Sequence, residues 1–210
     1  MLPQSYFERQ DESDDEGFYE PSRLVTHIDD AAVAAVTRLY GELFSPGGAI
    51  LDLMSSWVSH LPPAVDYRRV VGLGMNQAEL DANPRLHERI VQNLNRDSRL
   101  PFADAEFDGA GICVSVQYLT QPVAVFREVG RVLRRGAPLV VTFSNRCFPT
   151  KAVAIWQALD DRGHGQLVRR YFEEAGNWTD ISVLDRSPRR LRGDPLYAVV
   201  GRSNDPFLGS

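Results

Sequence analysis

Cysteine is scarce in this chain of 210 residues: Cys113 and Cys147 are the only two. Two distant cysteines make neither a disulfide framework nor a metal motif, and Cys113, inside an apolar run, reads as packing. Long apolar runs are missing as well. None approaches the ~20 residues needed to cross a bilayer, and the polar N-terminus has no signal-peptide core. The chain is therefore expected to be soluble and cytoplasmic, with no membrane partner. Net positive charge is lacking too. The formal net charge of −5 gives no general attraction to nucleic acid, and Arg186, Arg189, Arg190 and Arg192 make too short a patch to claim it. The last scarcity is local: no glycine occurs from Asp52 to His60.

What is present is ordinary soluble-domain material, 43% hydrophobic and 24% charged. The length suits one domain with an appendage, read as residues 21–204 between an acidic, loosely ordered leader (1–20) and a short tail (205–210). Residues 1–30 hold nine acidic and two basic side chains, too many like charges to bury. Phe18 and Tyr19 break that pattern and are expected to dock on the domain as a lid.

Beyond the leader, elements alternate. A helix is expected over Asp29 to Phe44, capped by Asp29 and ended by Pro46-Gly47-Gly48. A strand at 49–53 leads to a short helix near 56–61, and Pro62-Pro63 break it. Strands follow at 68–73, 89–94, 108–116 and 137–144, with helices at 76–83 and 122–133. A helical region at 149–175 is interrupted at Gly163 to Gly165, and two strands at 180–185 and 196–201 close the chain. Such alternation predicts an α/β fold: a mostly parallel, seven-stranded sheet with helices on both faces. Open sheets of this kind bind ligands outside the carboxyl ends of their strands, at the switch point in strand order.

The stretch LPFADAEFDGAGICVSVQYLTQPVAVFREVGRVLRRGAPLVVTFSN resembles class I S-adenosylmethionine-dependent methyltransferases of the small UbiE-like, type 11 kind. That family runs LPF, acidic loop, FD, strand, a helix ending RVLRPGG, strand. YFEEAGNWTDISVL is similar to its last helix and sixth strand, and the likeness covers about residues 29–202. The resemblance implies a Rossmann-like fold, S-adenosylmethionine as cofactor and methyl transfer to a small-molecule acceptor. The family carries an acidic residue and then Gly-x-Gly-x-Gly after strand one. Asp52 matches the acid, but Met54, Ser56 and Val58 stand at the glycines, where Met and Val do not easily take positive φ. Gly74 replaces the acidic residue that grips the ribose hydroxyls, a loss on the order of 2–4 kcal/mol. Asn93 lies near the position of an adenine-contacting Asp. These departures imply a divergent subfamily with a glycine-poor first motif, and they equally fit an inactive binding or interaction module on the same scaffold.

From the strand ends and the resemblance together, the cofactor is expected against Asp52, Met54, Ser55 and Ser56, then Gly74, Met75 and Asn76, then Asn93, Leu94 and Ser115. Ser55 and Ser56 are expected to cap the short helix and hold the cofactor's carboxylate, Asp52 to receive its ammonium, and Asn76 to substitute at the ribose. Tyr19, Gln117, Tyr118, Asn145 and Arg146 are the substrate candidates. No catalytic residue stands out. His27 and Tyr118 are the candidates, each against a structural alternative: a lone His is usually structural, and Tyr118 also reads as core closure. No metal site and no nucleic-acid partner are expected, and the sequence sets no oligomeric state.

Overall fold

The apolar runs become strands. In the computed structural model, which describes residues 2–188 and 193–204, they are β1 (Ala49–Leu53), β2 (Arg69–Gly74), β3 (Glu88–Val91), β4 (Gly109–Cys113), β5 (Pro138–Phe143), β6 (Trp178–Asp185) and β7 (Tyr197–Ser203). Helices are α1 (Asp15–Tyr19), α2 (Asp30–Leu43), α3 (Gln77–Ala82), α4 (Pro122–Val132), α5 (Ala154–Gln157) and α6 (Asp161–Ala175). Arg189, Arg190, Arg192 and the tail at 205–210 lie outside the described residues.

One seven-stranded sheet runs β3-β2-β1-β4-β5-β7-β6. β1 to β5 are parallel neighbours, and β7 is antiparallel to both β5 and β6. Strand order reverses between β1 and β4, which places the switch point above their carboxyl ends. Successive side chains of a strand face opposite ways, and β1 shows it. Leu51 and Leu53 join the core that holds Phe126, Val129 and Phe172, while Ile50 joins the core that holds Val36, Leu39 and Phe44. Both faces are thus covered, as a parallel sheet requires.

Three expectations change. No helix forms near 56–61, because side-chain bonds described below hold that stretch as an irregular loop. The 149–175 region does not break at Gly163 to Gly165; α6 runs through both, and Asp160 starts it by accepting from the Gly163 amide at 2.8 Å. The break falls at 158–160. Residues 2–20, expected as a loose leader, lie against the domain. Phe7 is buried in the main core. The fully buried Lys151 ammonium donates to the Ser13 carbonyl at 2.7 Å, with the Asp11 and Asp15 carboxylates at 3.3 and 3.4 Å.

Candidate functional site

Above the switch point lies a cavity of about 330 Å³, within the usual range for small-molecule sites. Its floor is the carboxyl ends of β1, β2 and β4, and the chain from Asp15 to Ile28 roofs it. From β1 and its following loop the lining includes Asp52, Met54, Ser55 and Ser56, and from the end of β2 onward Gly74, Met75 and Asn76. Asn93 and Leu94 follow β3, and Ser115 follows β4. His27, Tyr19, Tyr118 and Arg146 line it as well. Gln117 is buried and Asn145 exposed, and neither reaches the cavity.

The loop after β1 is shaped by side chains where a glycine motif would shape it by backbone freedom. The buried Asp52 carboxylate accepts on Oδ2 from the Ser55 hydroxyl at 2.6 Å and the Ser59 hydroxyl at 2.7 Å. Fully buried Asn83 donates to the Ser56 carbonyl at 2.8 Å and to Ser59 Oγ at 2.9 Å. The Ser55 amide donates to the Leu73 carbonyl at 2.8 Å. Met54, expected to resist positive φ, takes φ 54° within this net. Ser55 and Ser56 cap no helix, so the loop after β1 brings no helix N-terminus to the site. Burial pushes the Asp52 carboxyl up to about 6, against the two hydroxyl bonds that pull it down.

Gly74 is required by that loop. A Cβ at position 74 would lie 2.1 Å from the Ser55 carbonyl oxygen, so no acidic residue can stand here unless the loop moves. The carboxylate on this side is Glu79. Its Oε1 accepts from the Arg23 amide and its Oε2 from the Ser56 hydroxyl, both at 2.6 Å. Asn76 caps α3, accepting from the Glu79 amide at 3.0 Å, and donates to the Tyr19 and Glu20 carbonyls at 2.9 and 2.8 Å. It ties the roof to the wall, so both its groups are already engaged.

Among the described residues, two fully buried side-chain oxygens of lining residues have no partner: Tyr19 Oη and Ser115 Oγ. Neither tyrosine is a base at neutral pH. Burial pushes the Tyr118 phenol up to about 12 and the Tyr19 phenol higher still. Tyr118 Oη accepts from the Phe148 amide at 2.8 Å. Burial also lowers the His27 imidazole, against the pull of Glu79, so it is neutral at pH 7. Sequence reasoning missed Arg23 and Glu79 as lining. Glu79 carried a signal: Asn76-x-x-Glu79 has the spacing of a capping box, although here the glutamate turns to Arg23 and Ser56 instead.

Residues 54–141 match a family model described as a methyltransferase domain. No curated protein sequence matches the chain. Solved structures share its architecture. An Archaeoglobus fulgidus SAM-dependent methyltransferase superposes with TM-score 0.60 at 12% identity, over 81% of this chain and 93% of that one. The cyclase SpnF gives 0.61 at 15% identity, over 88% and 89%. Phosphoethanolamine N-methyltransferase 2 of Haemonchus contortus, in complex with S-adenosyl-L-methionine, gives 0.59 at 12%, over 82% and 52%; this chain spans about half of it. The chain has the class I, Rossmann-like methyltransferase fold. One of the three neighbours is named a cyclase, so the fold alone does not set the reaction.

Proposed function

We propose that this protein transfers a methyl group from S-adenosylmethionine to a small-molecule acceptor, as a divergent, glycine-poor relative of the UbiE-like enzymes acting in the cytoplasm. The observation that carries the reading is the roofed cavity at the switch point, lined by Asp52 and Ser55 from β1 and its loop, Gly74 from β2 and Asn93 after β3. Among the described residues no helix is long and apolar enough to cross a membrane, in keeping with a soluble setting.

The residues present fit the cofactor at all but one group. Asn93 and Leu94 would take the adenine, and Ser115 has a hydroxyl to give. Asp52 Oδ1, to which no described residue donates, would face the ammonium. The ribose has no carboxylate at position 74; Glu79 is the substitute, at the cost of competing with Arg23 and Ser56. When bound, the cofactor supplies an electrophilic methyl on a sulfonium. The protein's part is positioning, which brings large rate gains without a named acid or base. The neutral His27 imidazole, which lines the cavity, can accept a proton from an acceptor hydroxyl or amine.

A second reading, a scaffold that binds but does not catalyse, is favoured by the Ser55 carbonyl lying over Gly74. Calorimetric titration with S-adenosylhomocysteine, S-adenosylmethionine and NADH separates them. Binding of the first two, without the third, supports methyl transfer. Binding of none leaves the scaffold.

A further inference from the structure

The cavity contains a cation without a counter-charge. Its three carboxylates are all engaged. Asp52 is held by Ser55 and Ser59, and Glu79 by Arg23 N and Ser56. Asp15 is held by Arg9 at 2.6 Å, Asn95 at 2.9 Å and Lys151 at 3.4 Å. Of the cavity's two arginines, Arg146 pairs with Asp194 at 2.8 Å. Arg23 makes no ion pair among the described residues. Its fork donates to the Phe18 carbonyl at 2.9 Å and the Pro21 carbonyl at 3.3 Å, which leaves further N–H donors of the guanidinium unassigned.

The guanidinium is also held in place. It lies over the rings of Phe18 at 4.8 Å, Phe148 at 5.5 Å and Tyr19 at 5.9 Å. Its backbone is tied to Glu79 beyond β2, and its side chain reaches across to Phe148, which follows β5. The charge thus lies against Phe148 after β5, while its own backbone rests on the wall beyond β2. A half-buried arginine, stacked on aromatic faces with spare planar donors, is a pre-organised receptor for a carboxylate or phosphate, and in such a low-dielectric pocket the attraction is stronger than in water.

We propose that Arg23 docks an anionic group, a carboxylate or phosphate, of the small-molecule acceptor. This rests on reading the cavity as a methyl-transfer site, and it adds that the acceptor is an acid with an apolar body that fits beside Phe148 and Tyr118.

Ligand titration of the full chain, followed by amide chemical shifts, tests this with benzoate, phenyl phosphate and neutral benzamide as probes. At least one anionic probe should bind about tenfold or more tightly than benzamide and shift the amides of residues 18–28 and 146–148. Which of the two binds tells carboxylate from phosphate. Arg23→Gln should abolish the preference, and Arg23→Lys should keep part of it. S-adenosylhomocysteine affinity should stay within about twofold in Arg23→Gln. Equal affinity for anionic and neutral probes, no binding of any at millimolar concentration, or an unchanged preference in Arg23→Gln overturns the proposal. So does an Arg23→Gln variant that loses S-adenosylhomocysteine and keeps the probe preference, since Arg23 would then serve the cofactor. Should wild type bind the anions through Arg23 but not S-adenosylhomocysteine, the methyl-transfer reading fails and the anion site stands.

Discussion

Asp52 is buried, ionisable and aimed at the cavity, and its position has a measurable consequence. Its folded-state pKa of about 6 lies above the ordinary aspartate value of 3.8. Below the ordinary value both folded and unfolded chains are protonated, and the full stability is present. As pH rises from about 4 to about 6 the unfolded chain releases its proton first, so stability falls, by roughly 3 kcal/mol. Asp52→Asn keeps an oxygen for Ser55 and Ser59 and removes the titration. Urea unfolding at stepped pH should show that decline in wild type and its absence in the variant; a flat wild-type profile would place Asp52 in water. Gly74 makes a second prediction. Gly74→Ala should lower unfolding free energy by about 3 kcal/mol, the upper range for overpacking, because the added methyl meets backbone. Gly74→Asp should not tighten S-adenosylhomocysteine binding. A gain in affinity would show that the Ser55 carbonyl yields easily. Neither role could be read from sequence. Gly74 was seen as a missing acid, and only the path of Ser55 shows why the acid is missing.

At the scale of elements, the loop after β1 and the N-terminal segment share a device: polar side chains do the shaping. Asn83 is the centre of the first, so Asn83→Ala should cost about 2–3 kcal/mol, the desolvation of groups left without partners. It should also weaken S-adenosylhomocysteine binding, because Ser56 loses its tether. Calorimetry on the folded variant reads both. Lys151 is the centre of the second. Lys151→Met leaves Asp11 facing Asp15 without the buried ammonium, a change that typically costs several kcal/mol. Amide exchange over residues 8–20 should accelerate at least tenfold, while β1, β4 and β5 keep their protection. Uniform acceleration would mean the segment and the sheet unfold as one unit. These contacts explain what the sequence concealed. The acidic run looked unable to bury itself because its partners, Lys151 and Asn95, lie far along the chain. The expected helix after β1 failed because its serines bond to Asp52 and Asn83 in place of one another's turns.

For the molecule as a whole, the sheet was legible because its signals are local and repeated. VVGLG, GICV and PLVVTF are apolar on both faces, which only a covered parallel strand tolerates, and the strand-helix rhythm sets the order. The cavity's lining was legible as far as the strand ends, where Asp52, Ser55, Asn93 and Ser115 gather near the switch point. The roof was less so. Tyr19 was found by its aromatic break in an acidic run, whereas Arg23 gave no local cue and meets Phe148 only through the fold. The central proposal is that the roofed hollow above β1, β2 and β4 takes an adenosyl amino acid without a glycine-rich turn after β1. A crystal structure grown with S-adenosylhomocysteine tests it most directly. The predicted density runs from Asn93 and Leu94 past Gly74 to Asp52, with the Ser55–Ser59 loop in place. A hollow holding only water at saturating ligand, or a ligand bound elsewhere on the surface, would contradict it.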